Sequence, residues 1–98
     1  MIQKHTTKIF ISEHLQFLDT AVIKTLGHPL RLRILDALNN RTYSVKDLCE
    51  LLGLEQTVVS QQLAILKKLG IVAAQRTGVR MDYRIMHPLA QRIASILA

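Results

Sequence analysis

The chain has 98 residues with 13 Lys and Arg against 7 Asp and Glu, a formal net charge of +6, and a pI near 10.0. This length makes one small domain, and a basic one, for which nucleic acid is the natural polyanionic partner. A membrane is the weaker candidate, because no apolar run approaches the roughly 18 residues of a span and no signal peptide is visible; the single cysteine excludes an internal disulfide and fits a reducing cytoplasm.

Residues 1–11 read as a mixed polar and apolar tail, and 12–98 as the folded domain. Ser12 can cap a helix over 13–26, with Leu15, Leu18, Val22 and Leu26 as its stripe, Phe17 and Ile23 beside it and Gly27 as its stop. Pro29 suits the first position of a helix over 29–38, where its missing N–H costs nothing. Leu30, Ile34, Leu35 and Leu38 face inward on that helix, and Arg31 and Arg33 lie on other faces.

Residues 44–70 are the most informative stretch. Ser44 and Asp47 make a capping box, and Leu48, Leu51 and Leu52 follow at helical spacing. Gly53 supplies the left-handed stop, and Leu54 plugs the turn. A second, longer helix starts at Glu55 or Gln56 and ends before Gly70. At about 100° per residue, Val58, Val59, Leu63, Ile65, Leu66 and Leu69 gather in one arc, a core face. The opposite arc holds Gln56, Thr57, Ser60, Gln61, Ala64, Lys67 and Lys68. Gln pairs bidentately with adenine, Ser and Thr bond base edges, and Ala or Thr methyls touch the thymine methyl. Alone, this arc reads equally well as an ordinary solvated helix face; the flanking sequence decides in favour of a groove-reading helix.

After Gly70, Ile71 to Arg76 is a strand-like run, Thr77-Gly78 is turn chemistry, and Met81 to Ile85 alternates apolar and polar. This is a β-hairpin directly behind the helix, a wing. Arg76 and Arg80 flank its tip, and between Gln56 and Met81 every charged residue is basic. Phosphate or minor-groove contact is the better reading of those two arginines than a merely solvated tip. The last helix, 88–97, opens with Pro88 and carries Leu89, Ile93, Ile96 and Leu97. With 49% hydrophobic residues, the chain holds more apolar surface than so small a core uses, so the first and last helices are assigned to a homodimer; packing within one chain is the alternative.

This order resembles the ArsR/SmtB family of winged-helix repressors, and particular runs carry the resemblance: LGHPLRLRILDAL (26–38), SVKDLCELLGLEQTVVSQQLAILKKLGIV (44–72) and RTGVRMDYRI (76–85). It covers roughly residues 20 to 90. It implies a mainly α fold with a small β-hairpin, order α-α-α-α-β-β-α, and a homodimeric DNA-binding repressor that answers a metal ion, a thiol-reactive species or another signal. Two positions depart from the family pattern. Glu55 stands where a Ser is usual at the start of the recognition helix, which sets a negative charge near DNA. Gln62 stands where a His is common; the wheel puts it on the core side, so it is not read as a base contact.

The family's Cys-x-Cys metal positions correspond here to Ser44 and Lys46, which cannot replace two thiolates. Its second metal site has no match at His87-Pro88-Leu89, and the chain ends before a further ligand pair. His5, His14, His28 and His87 show no metal-ligand spacing and read as solvated or satisfied side chains. No metal and no cofactor are therefore expected. Cys49 lies where some thiol-sensing relatives keep one of two cysteines. It is either a small apolar filler beside Leu48 and Leu52 or a lone thiol sensor near Lys46.

The leading functional expectation is a transcriptional repressor that binds an inverted-repeat operator on double-stranded DNA through helix 56–69 and wing 76–81. Gln56, Thr57, Ser60 and Gln61 read bases; Lys67, Lys68, Arg76 and Arg80 neutralise phosphates. The alternatives are a protein-interaction module of winged-helix shape whose basic face is incidental, or a thiol-based redox or sulfur sensor using Cys49. An enzyme is excluded, since the chain has no Gly-rich phosphate loop, nucleophile elbow or metal constellation.

Overall fold

A computed structural model describes residues 20–97. They run α1 (Thr20–Leu26), α2 (Pro29–Ala37), α3 (Val45–Leu52), α4 (Gln56–Lys68), β1 (Val72–Thr77), β2 (Arg80–Ile85) and α5 (Pro88–Leu97). This is the winged helix-turn-helix order expected from sequence. The tail 1–11, the Ser12 cap, Leu15, Phe17, Leu18, His5 and His14 lie outside the described residues.

Two helices begin with the same tripeptide, His-Pro-Leu, at 28–30 and 87–89. In each, proline fills the first turn and the preceding imidazole does the capping. His28 Nδ1 accepts the Leu30 N–H at 3.2 Å, and His87 Nδ1 accepts the Leu89 N–H at 3.1 Å. Both histidines thus satisfy an otherwise orphan helix donor. Each described histidine caps a helix.

The helix-turn-helix is set by its caps. The Ser44 hydroxyl accepts the Asp47 N–H at 3.1 Å. Gly53, at φ 66° and ψ 38°, turns left-handed, and the N–H groups of Gly53 and Leu54 both bond the Cys49 carbonyl. That reversal drops Leu54 into a half-buried plug and starts α4 two residues later. Glu55 is the N-cap residue of α4 and makes no side-chain capping bond.

The end of α4 aims the wing. Gly70 at φ 71° closes a Schellman motif, with Gly70 N–H to the Lys67 carbonyl and Ile71 N–H to the Leu66 carbonyl at 2.9 Å. The chain reverses into β1 within two residues, so the hairpin must lie beside the recognition helix. Ile71 is itself fully buried, and its carbonyl receives the N–H groups of Met86 and His87, which fastens the exit of the hairpin to its entrance.

β1 and β2 pair antiparallel from Val72↔Ile85 to Thr77↔Arg80, leaving a two-residue turn, Gly78–Val79. Only Gly78 of the pair has positive φ, the pattern of a II′ hairpin turn. Tyr43 adds a bridge that the sequence did not suggest: its N–H and carbonyl exchange bonds with Tyr83 at 3.2 and 2.8 Å. The loop before α3 is therefore stitched to the wing.

One core draws on every element: Val22 and Leu26 of α1, Ile34 and Leu35 of α2, Leu48 of α3, Val59, Leu63 and Leu66 of α4, Val72 and Ile85 of the hairpin, and Ala90 and Ala94 of α5. Two sequence expectations need correction. Leu51 is 57% exposed rather than inward, and Ile65 sits at the margin of the core arc, 36% exposed. On α5 the fully buried positions are the two alanines. Leu89 and Ile93 are half-buried, and Ile96 and Leu97 are exposed. Helix α5 thus meets the core through its two alanines and keeps its larger apolar residues partly or wholly outside it.

Candidate nucleic-acid interface

Helix α4 buries Val59, Leu63 and Leu66 and turns its other side to solvent. Gln56, Thr57, Ser60, Gln61, Ala64, Lys67 and Lys68 are all exposed and occupy one arc. At 13 residues, the helix runs about 20 Å, and its two lysines fall in the last turn, where they also complement the helix dipole.

Gln62 belongs to the support of this helix, as its place on the wheel indicated. The Arg31 Nε of α2 donates to Gln62 Oε1 at 2.8 Å, and the same guanidinium donates from Nη1 to the Thr25 carbonyl at the end of α1 at 3.2 Å. One partly buried arginine thus fixes the position of α4 against α1 and α2. Arg33, on another face of α2, donates to the Leu52 carbonyl at 2.9 Å, closing the C-terminal end of α3. Neither role was evident in the sequence, where both arginines carry only a face assignment.

The wing carries Arg76 and Arg80 beside α4, but their surroundings differ. Arg76 is exposed and has no ion-pair partner among the described residues. Arg80 is held twice: Nη2 lies 2.6 Å from Asp47 Oδ2 on α3, and Nε lies 2.7 Å from Asp82 Oδ1 on its own strand. Strand alternation puts residues 80 and 82 on one face of the hairpin, and α3 brings Asp47 to that face. Hydrogen bonding from the Ser44 side chain, and then the Arg80 guanidinium, hold the Asp47 carboxyl below the usual carboxylate range. The two carboxylates hold the Arg80 guanidinium above its ordinary value. The group is half-exposed, so solvent screens these attractions. Its charge is nevertheless answered twice within the protein, whereas Lys67, Lys68 and Arg76 have no ion-pair partner among the described residues. Sequence reading set Arg80 with the free cations because its two partners are acidic residues outside the wing-tip pattern.

Val79, at the tip between Gly78 and Arg80, is wholly exposed. It was not among the residues singled out by sequence, although an aliphatic residue at a hairpin tip invites attention. Cys49 is half-buried against the core. Ser44, at the first family metal position, is spent on the α3 cap, and Lys46 is exposed. Among the described residues no three His, Cys, Asp or Glu side chains come together as metal ligands, and no helix is long and apolar enough to cross a membrane.

Residues 28–74 match the family described as bacterial regulatory protein, arsR family. The chain is 46% identical over 88 residues to the HTH-type transcriptional regulator Rv0081 of Mycobacterium tuberculosis, covering 89% of this chain and 75% of that protein. Among solved structures, the transcriptional repressor BigR of Xylella fastidiosa superposes with a TM-score of 0.78 at 31% identity, over 88% of each chain. The homodimeric winged helix-turn-helix DNA-binding domain Mb0332 of Mycobacterium bovis superposes with a TM-score of 0.76 at 31% identity, over 88% of this chain and 80% of that one.

Proposed function

The chain belongs to the ArsR family of bacterial regulatory proteins, and from that premise we propose that it is a homodimeric transcriptional repressor, acting in the cytoplasm on an inverted-repeat operator. The observation that carries this reading is the unbroken acid-free arc of α4, exposed along its whole length and continued by Arg76 of the wing. Gln56, Thr57, Ser60 and Gln61 are assigned to base edges in the major groove. Lys67, Lys68 and Arg76 are assigned to phosphates. Arg80 takes a different role from the one its sequence position suggests: it is the strut that fixes the wing to α3.

Dimerisation is assigned to α1 and α5. Ile23, Ile96 and Leu97 are exposed, and Leu89 and Ile93 are only half-covered, which leaves apolar faces on both helices. Pairing there sets two recognition helices into successive major grooves, about one helical turn apart. BigR is named a repressor and Mb0332 a homodimeric DNA-binding domain, in keeping with this assignment.

Titration of a labelled random duplex at low salt tests the reading. The repressor binds it, and Lys67→Gln with Lys68→Gln weakens the complex on every sequence alike. An interaction module with an incidental basic face shows no such binding, and that result overturns the proposal.

A further inference from the structure

A cleft of about 890 Å³ opens between the α2–α3 loop, the end of β2 and one face of α5. It lies apart from the DNA-facing arc, since no residue of α4 and no residue of the wing tip lines it. It is open to solvent, with Arg41, Arg84 and Arg92 all exposed along it.

Its charge is one-sided. Arg41 from the loop, Arg84 from β2 and Arg92 from α5 all line it, and no acidic residue does. None of the three has an ion-pair partner among the described residues, in contrast to Arg80 with its two carboxylates. Arg41 Nη1 donates to the Tyr43 hydroxyl at 3.2 Å, which steers its guanidinium along the lining. Asn39, Tyr43 and Ser95 add neutral hydrogen-bonding groups. Three guanidiniums from separate segments line one cleft with no acidic residue among them, so an anion carrying several charges can meet their forked donors bidentately.

The cleft uses a side of α5 turned from the proposed dimer face, with Arg92 at the edge between them. Gln91, Arg92 and Ser95 line it. Leu89, Ile93 and Ile96 recur at i, i+4 and i+7 on a face centred about 120° away on the helical wheel.

We propose that this cleft is a binding site for a small, multiply charged anion, with a phosphorylated or pyrophosphate-bearing molecule the best chemical match to its arginines. Binding there needs no DNA and does not depend on the operator reading. Isothermal titration with sodium pyrophosphate, together with amide NMR of the intact chain, tests it. The expected result is saturable binding of one pyrophosphate per chain, with shifts centred on residues 40–43, 84 and 91–95. Arg84→Gln with Arg92→Gln weakens it by about tenfold or more, as the loss of charge-assisted bonds implies. Lys67→Gln with Lys68→Gln leaves it unchanged. Shifts centred on α4 and the wing tip, non-saturating binding, or equal weakening by both double variants overturns the proposal. If duplex DNA moves the cleft amides and pyrophosphate does not, the cleft is a DNA-backbone contact and the proposal fails.

Discussion

Arg80 gives the sharpest test of how this surface uses its charge. Its Nη2 and Nε are taken by Asp47 and Asp82 at 2.6 and 2.7 Å, so it counts as internally neutralised. Lys67, Lys68 and Arg76 remain, and a dimer offering these three on each protomer makes about six phosphate contacts. Counterion release then gives a salt slope of about −5.4; counting Arg80 as well makes it about −7.2. Between 50 and 200 mM salt the first slope corresponds to a loss of affinity of roughly 2,000-fold. Asp47→Asn combined with Asp82→Asn frees the guanidinium and steepens the slope toward the second value, an additional loss of about twelvefold over the same interval. Arg80→Ala leaves the slope within about half a unit of the parent. Fluorescence anisotropy on one labelled duplex across that salt range reads all three proteins. The reasoning is refuted if Arg80→Ala flattens the slope by nearly two units while the double Asn variant matches the parent, because Arg80 would then already be on a phosphate.

Further outcomes follow from the caps, the apolar faces and the Asp47 carboxyl. Ile93→Glu with Ile96→Glu sets charges into the proposed dimer face and yields monomers by analytical ultracentrifugation; a dimer that persists moves the interface elsewhere. Gly53→Ala meets no atom within 4 Å but keeps a φ of +66°, so it costs about 1–2 kcal/mol of backbone strain alone, measurable by urea unfolding. The Asp47 carboxyl titrates below its ordinary value of 3.8. Its interactions therefore stabilise the fold fully above that pH and fade as pH falls through the lowered native value. Carboxyl NMR should show this titration moving back up in Arg80→Ala, though not completely, since Ser44 still contributes; no movement contradicts the ion pair.

Much of the α3–α4 unit is legible in sequence because its determinants are local. Ser44 and Asp47 lie three residues apart, Gly53 and Gly70 announce their own conformations, and the α4 wheel needs only helical geometry. The hairpin is legible for the same reason. What sequence reading missed depends on contacts between distant segments. Arg80 finds Asp47 across 33 positions, Arg31 finds Gln62 across 31, and Tyr43 pairs with Tyr83 only once the wing has folded back. Helix α5 is legible in part. Leu89, Ile93, Ile96 and Leu97 stand out in the sequence as apolar residues for a partner copy, and they lie half or wholly exposed, but periodicity does not mark Ala90 and Ala94 as the residues that meet the core. The cleft between the α2–α3 loop, β2 and α5 has no sequence signature at all, since its arginines are 43 and 8 residues apart in the chain.

The central claim is that the exposed arc of α4 reads base sequence. Selection of duplexes from a random pool, by the parent protein and by Gln61→Ala, tests it most directly. The account predicts that the parent enriches an inverted repeat whose half-sites lie about one helical turn apart. Gln61→Ala should enrich the same repeat but lose discrimination at one symmetry-related base pair, worth about 1–3 kcal/mol there. Enrichment of no sequence by the parent, or an identical preference in the variant, would contradict it.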